Sequence, residues 1–286
     1  MRTVKSKYKA PYGEMGGFTS YVFIPSRAVP IDSIEPFIVF NHHGPQHFKP
    51  NNTGLPFGPH PHKGFETVTF IEEGSVKHED STGYKSVINA GGVQWMTAGK
   101  GIIHNESATE EFQITGGDME ISQLWINLPA KYKNAEPNYV GLQKENIPVV
   151  DLDNGKVHVH LVSGSWDGKK APIQSLTDVF MSTINLKRGG KLNTKVPKDH
   201  NIFFFVVKGN ITVNGETADA RELVVFNNDD EDIQMEATDD SLIYFGHAKP
   251  NNERIVAHGP FVMNSEQEIN QAITEYHQGK MGVWSH

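Results

Sequence analysis

Residues 67–80 have the sequence TVTFIEEGSVKHED and are followed at residues 91–99 by GGVQWMTAG. β-Branched and aromatic residues dominate both stretches, and a glycine divides the first, which is typical of two strands joined by a tight turn and followed by a third. The second half of the chain repeats this order with FFFVVKGNITVNGE at residues 203–216 and RELVVFNND at residues 221–229. The repetition predicts two copies of one β unit, each in a barrel or sandwich.

Short β-rich runs recur along the whole chain between clusters of Gly, Asn, Asp and Pro, as expected for an all-β protein. Helical periodicity is convincing only near the C-terminus, where Ser265 and Glu268 form a capping-box pattern ahead of an apolar stripe. We predict one short helix there, closed by Gly279. The polar segment 131–148 is predicted to link the two halves, and the alternative is one long surface loop within a single domain.

Composition excludes several classes of function. The 286 residues include 26 basic and 34 acidic side chains, and the formal net charge of -8 opposes direct binding of nucleic acid. The chain has no Cys, so a metal ion would need nitrogen and oxygen ligands. No apolar run approaches the roughly 20 residues of a membrane span, and the N-terminal region lacks a signal-peptide core. We therefore expect a cytoplasmic protein that does not associate with membranes.

His60 and His62 are the first candidate metal ligands. Alternate residues of an extended strand point to the same face, so the two imidazoles can bind one ion. The pair alone is weak evidence, because 14 His in 286 residues give about 0.7 His-x-His pairs by chance. His158 and His160 form a second such pair, which we assign to the solvated face of a strand.

A second extended segment, HNE at residues 104–106, strengthens the case. The same spacing places the His104 imidazole and the Glu106 carboxylate on one face. Three imidazoles and a carboxylate suit a divalent ion of iron, manganese, nickel, copper or zinc, and a six-coordinate ion would keep two open positions. Because binding needs neutral imidazoles, we expect it to fail as the pH falls through about 6.

Three segments together resemble the pirin family of the cupin superfamily: HPHKGFETVTF (60–70), GGVQWMTAGKGIIHNE (91–106) and HGPFVMNSEQEINQAI (258–273). The resemblance spans both halves of the chain and implies an all-β bicupin, with two β-sandwich or jelly-roll barrels and the short C-terminal helix. It implies an N-terminal metal-binding cupin domain at residues 1–135. Residues 136–286 would form a degenerate C-terminal cupin domain that includes the terminal helix.

The resemblance also implies which side chains hold the metal. One ion in the N-terminal barrel would be bound by His60, His62, His104 and Glu106. The general cupin pattern nominates Glu66 as the carboxylate instead, since it follows His62 by four residues and shares its face in an unbroken strand. We assign Glu106 as the ligand and Glu66 to hydrogen bonds around the site, and either carboxylate is a candidate catalytic base.

The second barrel is predicted to lack a metal site. Aligning Gly209 with Gly74 places Lys195 opposite His60 and Pro197 opposite His62, and neither side chain can replace an imidazole. We expect this half to be structural or to bind a protein partner.

Other side chains have two possible roles. Phe65, Trp95 and Trp125 are candidates for an apolar wall around the ion, although alternating strand residues also build ordinary cores. Adjacent His42 and His43 face opposite ways in a strand, and we predict that both are structural.

The resemblance implies two functions. The first is an iron-dependent oxidoreductase of the quercetin 2,3-dioxygenase type, in which Fe(II), or else Mn, Ni, Cu or Zn, holds a small planar phenolic substrate and dioxygen. The second is a non-catalytic, iron-dependent regulator, either a transcriptional coregulator or a modulator of a metabolic enzyme, in which the oxidation state of the ion selects a protein partner. We favour the dioxygenase.

Overall fold

The structure is a computed structural model that describes residues 1–284, and antiparallel strands form most of it. The strands are, in chain order, β1 (Val4–Tyr8), β2 (Gly13–Met15), β3 (Phe18–Ile24), β4 (Phe37–Phe48), β5 (His60–His62), β6 (Phe65–Glu73), β7 (Ser75–Asp80), β8 (Lys85–Asn89), β9 (Val93–Thr97), β10 (Ile102–Ala108), β11 (Gly117–Asn127), β12 (Asn138–Leu142), β13 (Val149–Leu152), β14 (Val157–Ser163), β15 (Ser165–Trp166), β16 (Lys169–Lys170), β17 (Phe180–Leu186), β18 (Lys191–Lys195), β19 (Asn201–Lys208), β20 (Asn210–Val213), β21 (Glu216–Asp219), β22 (Glu222–Phe226), β23 (Asp232–Ala237), β24 (Ser241–Ala248), β25 (Val256–His258) and β26 (Phe261–Met263). The α-helices are α1 (Glu110–Thr115) and α2 (Glu266–His277), and short 3-10 turns lie at Ala130–Tyr132, Lys144–Asn146 and Asp153–Gly155. The all-β class and the short C-terminal helix are confirmed. Within residues 1–284, no helix combines the length and apolar character needed to cross a membrane.

The chain divides into two units, and neither is continuous in sequence. Unit 1 consists of Met1–Ala10, Ser26–Pro36 and Ile147–Pro250, and unit 2 consists of Pro11–Pro25, Phe37–Asn146 and the described part of Asn251–His286. Helix α2 lies in unit 2, whereas the sequence suggested that it accompanies the second half of the chain. The physical reason is that Ile269 and Ala272 on its apolar face pack with Phe261, Met263 and Ile103. The single boundary after residue 135 stays a prediction.

Unit 2 consists of a seven-stranded sheet ordered β12-β9-β6-β11-β4-β3-β2 and a four-stranded sheet ordered β5-β10-β7-β8. Apolar residues from both sheets share one core, for example Ile71 and Ile121 of the large sheet and Val76 and Ile88 of the small one. Each such side chain contributes about 1.5–3 kcal/mol when it leaves water. The two sheets therefore form a sandwich, with the small sheet bearing the predicted metal ligands.

Unit 1 repeats this architecture. Its seven-stranded sheet is ordered β1-β22-β19-β24-β17-β14-β13, and its four-stranded sheet is ordered β18-β23-β20-β21. Val159 and Phe204 of the large sheet share a core with Ile211 and Met235 of the small one. The two predicted barrels are thus confirmed.

In the small sheet of unit 1, the two strands equivalent to those of the histidine site direct apolar side chains inwards. Strands β18 and β23 hold the places that β5 and β10 hold in unit 2, and Thr194 is opposite Ile233. The buried, inward-facing positions of these strands are Leu192, Ile233 and Met235, whereas the Lys195 side chain is 74% exposed and points outwards. Neither strand contains a histidine, so apolar packing replaces the histidine site here.

The segment predicted as a linker contains a strand. Within residues 131–148, β12 pairs with β9, placing Tyr139 opposite Met96 and Val140 opposite Trp95. The polar composition of the segment hid this edge strand, because an edge strand tolerates polar residues and glycine.

Candidate metal centre

Three imidazoles meet on the small sheet of unit 2. β5 presents His60 and His62 on one face, and β10 lies beside it with His104 directly opposite His60. Nε2 of His60 lies 3.1 Å from Nε2 of His62 and 3.0 Å from Nε2 of His104. One nitrogen from each of the three rings lies within 4.8 Å of the other two. The structure therefore brings together three of the four predicted ligands.

The contacts of His60 are more consistent with a metal ion bound between the imidazoles than with hydrogen bonds from one imidazole to another. Its Nδ1 donates to the carbonyl of Gly58 at 2.7 Å, which leaves a lone pair on Nε2. One lone pair cannot accept good hydrogen bonds from His62 and His104 at once. Two nitrogens bound at about 2.1 Å to adjacent corners of a six-coordinate ion lie about 3 Å apart. Both observed separations agree with that value.

Burial keeps two of the imidazoles neutral. Removal from water, followed by the neighbouring rings, lowers the pKa of His62 and of His104 well below its usual value. The carbonyl of Pro260 opposes the shift in the pKa of His62 without reversing it. A metal ion can therefore bind these two nitrogens at neutral pH without displacing a proton, and we expect proton competition at these rings to begin below the predicted pH of about 6.

Glu106 lies two residues beyond His104 on the same face of β10, and its carboxylate has two fixed hydrogen bonds. Thr69 Oγ1 donates to Oε1 at 2.9 Å, and Gln123 Nε2 donates to Oε2 at 2.6 Å. Trp125 Nε1 donates to Gln123 Oε1 at 2.9 Å, which fixes the orientation of that amide. Each carboxylate oxygen keeps a lone pair for a further partner. The role of Glu106 as fourth ligand stays a prediction.

Glu66 lies on a different face from the histidine site. Lys63 and Gly64 separate β5 from β6, and Gly64 has φ +91°. The strand is therefore interrupted between His62 and Glu66, and the four-residue spacing no longer places the two side chains on one face. The Glu66 carboxylate accepts a hydrogen bond from Thr97 Oγ1 at 2.8 Å and is 1% exposed. Thr69 of the same strand lines the cavity and is three positions after Glu66, so their side chains point to opposite faces. The structure therefore does not bring Glu66 to the three histidines.

A cavity of about 350 Å³ opens beside the histidines. Trp125 forms one wall, with its ring centroid 4.2 Å from that of Phe65 in a stacked pair and 5.0 Å from that of His62. Phe57 lines the cavity as well. Trp95, which we considered for the wall, pairs with Val68 on the opposite face of the large sheet. The volume and the aromatic walls suit a small planar ligand.

A polar pair that was not predicted from the sequence lies on the same sheet. His78 Nε2 lies 2.9 Å from Asp80 Oδ2, and both side chains are buried. β7 pairs with β10 so that His78 is opposite Glu106, and the Tyr139 ring stacks on His78 with centroids 3.9 Å apart. The signal was present, because residues 78–80 have the same alternate spacing of His and carboxylate as residues 104–106.

The second His-x-His pair has ordinary strand contacts. His158 Nδ1 lies 2.6 Å from Asp151 Oδ1, and His160 Nε2 accepts from Asn185 Nδ2 at 3.1 Å. Each partner is on a neighbouring strand of unit 1. These contacts are ordinary hydrogen bonds between neighbouring strands.

A buried lysine ties the C-terminal segment to the end of β5. Lys133 Nζ donates to the carbonyls of Gly64 and Val262, at 2.9 Å each, and to Asn127 Oδ1 at 2.8 Å. Val262 N also donates to the carbonyl of Lys63 at 3.0 Å. A side chain at position 64 would collide with the Val262 carbonyl, so the close approach requires glycine. Residues from the end of the chain thus hold the backbone next to the histidines.

His43 should make the stability of the metal-free protein depend on pH. Burial, followed by His42, lowers the pKa of His43 to about 4, whereas the unfolded value is about 6.5. Between pH 6.5 and 4 the unfolded chain therefore binds a proton that the folded chain does not, so stability falls as the pH falls, by about 3 kcal/mol in all. Below about pH 4 this contribution stops changing. Urea unfolding at pH 7, 6, 5 and 4 should give a shallower pH dependence for His43→Phe than for the parent.

A matched control for this prediction is His258→Ala, because His258 is exposed. We expect the control to keep the parental slope. Equal slopes for the parent and His43→Phe would contradict the prediction.

Two β-sandwich barrels, one of which carries a three-histidine cluster, define a bicupin with a candidate metal centre. Residues 23–126 match the family described as Pirin, and residues 181–282 match the Pirin C-terminal cupin domain. The chain belongs to the pirin family.

Three similar proteins illustrate how far the similarity extends. Human Pirin is 34% identical over 259 residues, covering 88% of this chain and 84% of its own. The crystal structure of a quercetin 2,3-dioxygenase from Acinetobacter baumannii is 31% identical, covers 99% of both chains and has a TM-score of 0.92. A bacterial pirin from Escherichia coli, solved in complex with nickel(II), is 23% identical over 86% of this chain and 100% of its own, with a TM-score of 0.68, and shows the shared fold.

Proposed function

We propose that this protein is a metal-dependent dioxygenase that cleaves flavonols of the quercetin type, with Fe(II) as its metal. The observation that carries the proposal is the meeting of three imidazoles beside an aromatic-walled cavity of about 350 Å³. Similarity to the Acinetobacter baumannii quercetin 2,3-dioxygenase over nearly all of both chains supports the same class of reaction. The residues that would hold the metal are His60, His62 and His104, with Glu106 as the fourth ligand.

The chain's own residues provide binding and proton transfer. A divalent iron ion at this site would supply Lewis acidity at a substrate hydroxyl and redox capacity toward dioxygen. Trp125 offers a flat apolar wall against which a planar phenol can lie. Glu106 lines the cavity and takes the proton of the substrate hydroxyl, while Thr69 and Gln123 hold its carboxylate in place.

The test is turnover by the metal-loaded protein. Protein loaded anaerobically with Fe(II) should, on mixing with quercetin and oxygen, take up oxygen and release carbon monoxide. We expect the rate to exceed that of identically treated His60→Ala protein at least about 100-fold, because catalysis requires the bound ion. His158→Ala is the matched control, since it removes an imidazole from the other His-x-His pair.

Background rates in both the parent and His60→Ala would contradict the proposal. We also propose, as the sequence predicts, that the protein is cytoplasmic and does not bind nucleic acid directly. A protein partner for the second barrel stays a prediction.

A further inference from the structure

Two polar side chains in the cavity wall, those of Asn41 and His43, point to a ligand away from the histidines. Asn41 Oδ1 and His43 Nδ1 are buried and have no hydrogen-bond partner among residues 1–284. The His43 side chain is 4% exposed, and both residues line the same cavity as His60 and His62. Because leaving such a group unpaired costs stability, buried polar atoms are almost always hydrogen bonded. Two side chains of the cavity wall therefore have hydrogen-bonding capacity that residues 1–284 leave unused, and a ligand in the cavity can use it.

Strand register places these atoms on the side of the cavity away from Glu106. Thr69 on β6 is opposite Gln123 on β11, and Gln123 is opposite Asn41 on β4. Thr69 and Gln123 hold the Glu106 carboxylate, so Asn41 is the next position along the same row. Adjacent strands are about 4.8 Å apart, which puts Asn41 about 10 Å from Thr69. His43 follows Asn41 by two residues and shares its face.

The ring of His43 is held as a neutral group in a fixed position. It stacks on Phe18 with centroids 5.5 Å apart and meets the edge of Phe57 at 5.2 Å. Since burial lowers the pKa of His43 to about 4, the imidazole is uncharged at pH 7. A neutral imidazole and an amide oxygen suit an uncharged group that both donates and accepts, such as a hydroxyl.

We propose that Asn41 and His43 bind a hydroxyl group at the far end of the substrate and so select phenols long enough to cross the cavity. The inference rests on the proposed function, because it takes the reacting end of the substrate to lie at the histidine centre. A phenol of one ring is too short to extend from Thr69, beside the Glu106 carboxylate, to Asn41 about 10 Å further along the row. A flavonol with hydroxyl groups on its outer ring reaches both.

The test compares two ligands and two variants. Binding of quercetin and of 3-hydroxyflavone, which lacks the outer hydroxyl groups, is measured by calorimetry on anaerobic Fe(II)-loaded protein. We expect His43→Phe and Asn41→Leu each to weaken quercetin binding about 5- to 30-fold, because each substitution removes one buried hydrogen bond to the ligand. Both variants should leave 3-hydroxyflavone binding within about twofold of the parent.

Ile121→Val is the matched control, since Ile121 lines the cavity and offers no hydrogen bond. It should affect the two ligands equally. Equal effects on both ligands in His43→Phe and Asn41→Leu, or no binding of quercetin to the parent, would overturn the inference.

Turnover, measured separately, distinguishes this inference from the proposed function. If quercetin binds with the predicted dependence on Asn41 and His43 but is not cleaved, the proposed function fails and the inference stands. If quercetin is cleaved while both variants bind the two ligands like the parent, the inference fails and the proposed function stands.

Discussion

Replacing His104 with Ala should lower the affinity for a divalent transition metal at least about 100-fold. Changes to groups that merely orient metal ligands cost about 10- to 100-fold, so the loss of a ligand should cost more. His104 Nε2 lies 3.0 Å from Nε2 of His60, and no other imidazole of the cluster can take its place. The measurement is elemental analysis after dialysis of metal-loaded protein against a competing chelator. His160→Ala serves as the control, and equal metal retention by His104→Ala and the parent would refute the site.

The same measurement separates the two candidate carboxylates. We expect Glu106→Gln to lose metal, because Glu106 shares a strand face with His104 and lines the cavity. Glu66→Gln should retain metal, since its carboxylate accepts from Thr97 on the opposite face of the sheet. A loaded Glu106→Gln protein together with an empty Glu66→Gln protein would reverse our assignment.

Replacing Lys133 with Met should destabilise the metal-free protein by at least about 3 kcal/mol, because three buried acceptors would lose their donor at once. Lys133 is 1% exposed and joins the Gly64 and Val262 carbonyls to Asn127. The methionine side chain has a similar length, so the change removes the donors with little change in packing. Urea unfolding at pH 7 measures the effect.

Lys131→Met is the control for this prediction, since Lys131 is exposed and two residues away. It should change the free energy of unfolding by less than about 0.5 kcal/mol. Equal effects of the two substitutions would contradict the structural role of Lys133.

Alternation of side chains along strands was sufficient to find the centre of the site. His60 with His62, and His104 with Glu106, are spaced so that each pair shares a face whatever the neighbouring strands are. The strand pairing that brings His104 opposite His60 joins residues more than forty positions apart. Spacing alone does not indicate which strands pair, and the prediction that these residues meet came from the resemblance to the pirin family.

The alternation of side chains did not predict contacts that depend on a turn or on the register between strands. Glu66 was linked to His62 across a turn that the pattern did not reveal, because Gly64 interrupts the strand. His43 was set aside as structural, although it lines the cavity. Gln123, which holds Glu106, lies on a strand with no chemical motif of its own. These contacts depend on how two sheets face each other, and local sequence does not encode that arrangement.

The divided sequence of unit 2 has a consequence for biosynthesis. Residues 147–250, which belong to unit 1, interrupt it, and the carbonyl of Val262 that anchors Lys133 comes from the segment beyond this interruption. Chains are made from the N-terminus, so the histidines leave the ribosome long before the residues that brace their strand. We therefore expect the histidine site to take up metal only after the segment that contains Val262 has been made and has packed beside Lys133.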